Sequence, residues 1–293
     1  MAFSFLATLS EAIITQEKSL DPNTCIAFIG GGNMAKAMIN GLLRQGHISR
    51  NILVCTPNSA SRNELMAQFD VRVHHDNAAA VTFAQVIILA VKSFVIPTVC
   101  EQLNAAMAAN KLQNLVISIA AGIKQASISK KLNDSTRVIC AMPNLPTSIG
   151  AGLTGLYAAP TTAPRDIEQA DTIMQAIGET VWIEDEQQMA AIVAAAGSSP
   201  AYLFLFLEAM EKAAIKQGLT QETASKAVLH SAMGAMLMAI NSPHNLANLR
   251  HQVTSPKGTT EQAILAFQDG ELDKLVASAM GSAATRAKEL SFG

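Results

Sequence analysis

From Cys25 onward, short apolar runs alternate with stretches of helical spacing, and the alternation stops near Asp185. The clearest runs are Cys25–Ile29, Ile52–Cys55, Val86–Val91, Leu115–Ala120 and Arg137–Met142. Short runs rich in Ile and Val, without polar alternation, fit strands covered on both faces. Weaker strand signals lie at Val71–Val73, Leu153–Tyr157 and Val181–Ile183. Met34–Gln45 has helical spacing and stops at Gly46. Strands separated by helices predict βαβ units and a mainly parallel sheet.

Past Asp185 no further β-branched run appears. Gln188–Gly218 reads as a helix interrupted around Gly197–Pro200, and Gln221–Ile240 as a second. His244–Val253 is a short third, and Thr259–Phe267 and Leu272–Leu290 complete the set. Three parts follow: an extension over 1–24, an α/β domain over 25–186 and an all-helical domain over 187–293. Within the extension, Phe5, Leu6, Leu9, Ile13 and Ile14 share one face of a predicted short helix. The stretch Ala201–Leu207 (AYLFLFL) is apolar all round, the mark of a helix with no solvent face. It is covered either by its own chain or by a second subunit, and the pattern weighs the two equally.

Hydrophobic residues make up 49% of the chain and charged residues 15%, enough to build two cores. Aromatics are only 4%, so much of the apolar share is Ala and Met, which suits closely packed helices. A net charge of −2 gives no electrostatic reason to expect nucleic acid or an anionic membrane as partner. The apolar runs read as too short to cross a bilayer. No Lys or Arg precedes Lys18, and Glu11 interrupts the first apolar run, so no secretory leader is expected. Cys25, Cys55, Cys100 and Cys140 match no zinc spacing and read as reduced thiols of a cytoplasmic protein. The six histidines show no paired spacing, so no metal is assigned.

The first strand runs into Gly30-Gly31-Gly32-Asn33-Met34-Ala35, where Gly30, Gly32 and Ala35 form G-x-G-x-x-A before a helix. The first glycine permits the turn, the second lets backbone approach a pyrophosphate, and the small third residue lets helix and strand pack. In this strand–turn–helix context the motif predicts a Rossmann-type dinucleotide site. After the second strand the chain reads Thr56-Pro57-Asn58-Ser59-Ala60-Ser61-Arg62, with no carboxylate to accept ribose hydroxyls. Thr56, Asn58 and Arg62 therefore favour NADPH over NADH, although NADH stays open and Arg62 also reads as a solvated surface charge. Asn77 lies either on the adenosine side or in a loop cap. Ala90, Lys92 and Asn144 sit where the third and fifth clear strands end, the edge at which such sheets bind ligands.

Two segments of the helical domain read as binding loops: Gly197–Tyr202, which includes Ser198, and Val253–Thr260. In the second, Ser255, Lys257, Gly258, Thr259 and Thr260 offer amides, hydroxyls and one ammonium to a carboxylate. From those residues alone, a plain helix cap at Ser255 or Thr259 is the stronger reading.

Taken together, FIGGGNMA, ILAVKS, VISIAAG, MPNLP, GSSPAY and LRHQVTSPKGTT resemble the pyrroline-5-carboxylate reductase family, in order and spacing, from about Cys25 to Leu290. The resemblance implies reduction of the cyclic imine 1-pyrroline-5-carboxylate to L-proline with NAD(P)H. It places Gly30–Ala35, Thr56, Asn77, Lys92 and Asn144 around the cofactor. Ser255–Thr260 would hold the substrate carboxylate, with Thr260 as catalytic hydrogen-bond partner of the ring nitrogen. It also implies an all-α dimerisation domain, homodimers, and further assembly into homodecamers. Three positions depart from the family's usual pattern: Leu145 for Thr, Ser199 for Gly, and Lys257 for Gly. No strong general acid stands in the two loops; Glu208 and Tyr202 read as neighbours at most. Two alternatives remain: a related imine or β-hydroxyacid reductase, and a non-catalytic NADPH-binding regulatory protein. Against the β-hydroxyacid reading, Lys212 falls late in its helix with no Asn following.

Overall fold

The computed structural model describes residues 20–134 and 137–291. The helix expected over Phe5–Ile14 lies outside the described residues. The chain divides into two compact units, Met1–Gly197 with Ala284–Gly293, and Ser198–Ala283.

The first unit carries an eight-stranded sheet in the order β3-β2-β1-β4-β5-β6-β7-β8. Its strands are β1 (Ile26–Ile29), β2 (Ile52–Cys55), β3 (Arg72–His74), β4 (Val86–Leu89), β5 (Leu115–Ser118), β6 (Val138–Pro143), β7 (Gly152–Ala158) and β8 (Gly178–Trp182). All pair in parallel except β6 with β7, where Cys140 faces Tyr157 in antiparallel register. Helices α1 (Asn33–Arg44), α2 (Ser59–Phe69), α3 (Ala78–Phe83), α4 (Ile96–Asn110), α5 (Gln125–Lys131) and α6 (Pro164–Gln175) connect the strands.

β1 shows why its residues form a central strand. Ile26 and Phe28 belong to one buried cluster, and Ala27 and Ile29 to another. Alternate side chains thus enter cores on opposite faces of the sheet, and all four residues are buried. Each such Ile or Phe contributes about 1.5–3 kcal/mol by leaving water. The strand signals near 71–73 and 153–157 become β3 and β7, displaced by one residue at most ends. The signal at 181–183 becomes β8, which begins earlier, at Gly178.

Change of texture at Asp185 marks the first helix after the sheet. The compact units divide later, after Gly197, because the intervening turns pack on the sheet. A Cβ on Gly155 of β7 would meet Ile192 at 2.5 Å, and Asn144 donates to the Ala196 carbonyl at 3.1 Å. These residues form a short helix α7 (Met189–Ile192) and a π-helical turn (Val193–Gly197).

The remaining helices are α8 (Ser199–Lys216), α9 (Gln221–Ile240), α10 (Leu246–Gln252), α11 (Thr259–Asp269) and α12 (Leu272–Ser291). Pro200 does not break the chain into a loop; it falls in the first turn of α8, where its missing N–H costs nothing. Helix continues from Glu186 to Lys216, 31 residues with mean hydropathy 1.8 over its most apolar window. By length and composition this run is long enough to cross a bilayer, which corrects the expectation that every apolar run is too short. The described residues leave it bare: Phe204 is 66% exposed and Leu205 68%.

Cys55, Cys100 and Cys140 are buried, whereas Cys25 is half-exposed. Burial pushes the Cys55 thiol up to about 12 and that of Cys100 to about 11, and raises Cys140 further. Thiolate is the reactive form. Native protein treated with a thiol-specific reagent at about pH 8 should therefore label Cys25 first. Mass mapping that finds Cys55 or Cys140 labelled equally fast would contradict this packing.

Candidate functional site

The turn between β1 and α1 is held from both sides. The Gly30 amide donates to the Cys55 carbonyl at 2.8 Å, and the Ala90 amide donates to that of Ile29 at 2.9 Å. Gly30 has φ 102, a left-handed conformation that side chains resist, and a Cβ there would stand 2.5 Å from the Ala90 oxygen. Gly31 serves packing: its Cβ would meet Leu65 of α2 at 2.7 Å. Gly32 is different. Its φ is −75, and nothing lies within 4 Å of a Cβ built on it. It is the N-cap of α1, with no side chain capping the helix and no acidic residue in the first turn. Asn33 is exposed and Met34 half-buried, while buried Ala35 lets α1 approach the sheet. Free amides, positive helix end and open space suit a pyrophosphate.

At the end of β2, Thr56 is buried and its amide donates to the His74 carbonyl at 2.9 Å. Asn58 caps α2, accepting from the Ser61 amide at 2.9 Å. Arg62 is half-buried rather than a loose surface charge. Its Nη1 donates to the carbonyls of Thr56 at 2.7 Å and Pro57 at 2.8 Å. Both Nη1 hydrogens are thus used within the loop. The Nε–Nη2 edge, the face that grips phosphate with two parallel bonds, has no partner among the described residues. The residues at this sheet edge fit a dinucleotide carrying a ribose phosphate.

Other predicted cofactor residues are more committed. Asn77 donates to Gln102 of α4 at 2.7 Å and caps no helix with its side chain. Asn144 is buried, accepting from the Leu153 amide at 2.9 Å while donating to Ala196. Lys92 is exposed just beyond β4, and Ala90 is half-buried beside the Gly30 turn.

In the second unit, Ser255–Gly258 forms a turn closed by the Gly258 amide on the Ser255 carbonyl at 3.0 Å. Pro256 takes its first central position and Lys257, at φ 61, its second, the pattern of a type II turn. α11 follows with Gly258 as N-cap and no side-chain cap, so its first-turn amides remain open. Ser255, Lys257 and Thr259 are exposed; Gly258 and Thr260 are half-exposed. The reading of Ser255 or Thr259 as a side-chain cap does not hold. Ser198 is not in an open loop but directly precedes α8. Glu208 pairs with Lys212 on the same helix, and the Tyr202 hydroxyl is buried without a hydrogen-bond partner among the described residues. Sequence reasoning missed one residue here: Glu261, whose carboxylate accepts from the Lys257 amide at 2.7 Å.

Residues 186–290 match the family model described as pyrroline-5-carboxylate reductase dimerisation. Residues 25–122 match one described as NADP oxidoreductase, coenzyme F420-dependent. The pyrroline-5-carboxylate reductase of Pseudomonas aeruginosa is 42% identical over 265 residues, covering 90% of this chain and 96% of that protein. The enzyme of the same name from Vibrio alginolyticus is 41% identical over 266 residues, covering 90% and 97%. The chain belongs to the pyrroline-5-carboxylate reductase family. The solved reductase from Coxiella burnetii is similar throughout, with TM-score 0.84, 40% identity, and 92% of this chain and 99% of that one covered.

Family membership decides between the two covers for the apolar helix. The dimerisation model spans the helices that expose Phe204 and Leu205, so self-association accounts for a face that the described residues leave bare.

Proposed function

We propose that this protein reduces 1-pyrroline-5-carboxylate to L-proline with NADPH. What supports the reading most is identity of 42% to a pyrroline-5-carboxylate reductase across nearly the whole chain. The open helix ends at α1 and α11 supply the two anion sites such a reaction needs. Gly30, Gly32, Asn33, Met34 and Ala35 would hold the pyrophosphate of NADPH, and Thr56, Asn58 and Arg62 its adenosine end. Asn77, Ala90, Lys92 and Asn144 complete that surface. When bound, NADPH supplies the hydride for the C=N bond.

The chain's own work is binding and orientation. Amides of Thr259 and Thr260 at the head of α11 receive the substrate carboxylate, with Ser255, Gly258 and the Lys257 ammonium beside them and Ser198 as a further contact. The Thr260 hydroxyl bonds the ring nitrogen. A threonine hydroxyl is too weak an acid to protonate the imine outright, so the proton arrives with the substrate or from water. Holding two reactants in attack geometry is then the main catalytic contribution. Thr260→Val should lower kcat/KM about tenfold, the worth of one hydrogen bond made in the transition state. NADPH affinity should stay at the wild-type value. Steady-state rates beside a cofactor titration check both, and unchanged turnover would remove the proposed role.

The functional unit is a homodimer, with five dimers closing into a decamer, in the cytoplasm. NADPH consumption with pyrroline-5-carboxylate, beside 2- and 3-keto acid controls, tests the reading. Turnover of the imine alone supports it. Binding without turnover of any substrate would favour a regulatory protein, and turnover of keto acids a hydroxyacid dehydrogenase.

A further inference from the structure

We infer that Glu261 is a positioning residue for substrate binding, fixing the turn at Lys257 so that the first-turn amides of α11 stay open. The inference rests on the functional reading above, which places the substrate carboxylate at this loop.

A type II turn needs a positive φ at its second central position, which is why glycine is common there. Here that position is Lys257, at φ 61. A lysine resists this conformation, so something must hold it. Glu261 does so: its Oε2 accepts from the Lys257 amide at 2.7 Å. The arrangement differs from the common capping box, in which the third helical residue takes the N-cap amide. The N-cap amide, that of Gly258, is already spent on the Ser255 carbonyl at 3.0 Å. The carboxylate instead reaches one residue further back. Both amides of the turn are thereby satisfied inside the loop, and α11 keeps no side-chain cap over its own first-turn amides. A Cβ on Gly258 would crowd the Ser255 oxygen at 2.9 Å, so the turn cannot relax by exchanging residues at that point.

Glu261 acts at a cost. Its negative charge stands within the same first turn as the amides meant for another carboxylate. An uncharged acceptor of the same length should hold the turn without the repulsion. Glu261→Gln is therefore expected to keep KM for pyrroline-5-carboxylate at or below wild type. Glu261→Ala frees the turn and should raise KM about tenfold, equivalent to about 1.4 kcal/mol. Its kcat should stay within about threefold and its NADPH Kd unchanged, because neither reports on this loop. In a Lys257→Gly background the turn no longer needs holding, and the penalty of Glu261→Ala should shrink below about threefold.

The experiment is the steady-state kinetics of the full-length protein and these variants at fixed saturating NADPH. KM does not depend on the folded fraction, so partial unfolding cannot mimic the expected pattern. The idea is overturned if Glu261→Ala keeps the wild-type KM, if Gln is as impaired as Ala, or if the penalty persists undiminished in the Lys257→Gly background. A wild-type protein that binds NADPH without reducing the imine overturns the functional reading and this inference together; the three variant outcomes overturn this inference alone.

Discussion

Replacing Gly32 with valine should abolish NADPH binding while leaving the fold intact. Gly32 has an ordinary φ of −75, and no atom lies within 4 Å of the position a Cβ would take. Glycine is a favoured N-cap, but that preference does not require the open space beside it, which no described residue fills and which leaves room for a ligand. A valine would occupy the approach to the α1 amides, where the pyrophosphate charge is met. Affinity should fall at least about 100-fold, or roughly 2.7 kcal/mol. Gly30→Val provides the contrast. Its φ of 102 and the Ala90 oxygen at 2.5 Å make that change a folding defect. Left-handed strain costs about 1–2 kcal/mol and overpacking about 1–3 more. Fluorescence titration with NADPH beside thermal melting separates the two. Wild-type affinity in Gly32→Val would mean that the pyrophosphate does not bind this turn.

Arg62→Ala should erase the preference for NADPH over NADH. The side chain is already anchored by two carbonyls through Nη1, so little entropy remains to be lost when its other edge binds a phosphate. Two charge-assisted bonds on that edge are worth about 1.5–3 kcal/mol, a loss of roughly 10–100-fold in NADPH affinity. NADH has no ribose phosphate, and its Kd should change by less than about threefold. Calorimetric titration with each cofactor measures this without turnover. Equal losses for both would make Arg62 a structural brace for the Thr56–Pro57 loop and nothing more.

The parts of this molecule legible in its sequence are those whose cause is local. Ile26–Ile29 reads as a buried strand because four successive apolar residues allow little else. The Gly30–Ala35 fingerprint reads as a turn into a helix because its spacing encodes backbone geometry. Long-range partners left no such mark. Nothing near Asn77 announces Gln102, and nothing near Asn144 announces the Ala196 carbonyl. The antiparallel pairing of β7 on β6 was hidden too, since a strand run carries no direction. Pro200 suggested a loop because proline breaks most helices, yet at the start of α8 it fits. The apolar face of α8 was visible, but the sequence pattern could not tell cover by the same chain from cover by another. Glu261 did leave a signal, an acidic residue three positions after the N-cap. Its unusual partner, one residue before that cap, is a property of the left-handed turn at Lys257.

The central claim is a hydride transfer to one carbon of one small ring. The most direct measurement incubates the protein with pyrroline-5-carboxylate and NADPH deuterated at nicotinamide C4, then examines the product by mass spectrometry. The account predicts L-proline carrying a single deuterium, formed in step with NADPH consumed. NADPH oxidised without labelled proline, or proline formed without the label, would contradict it.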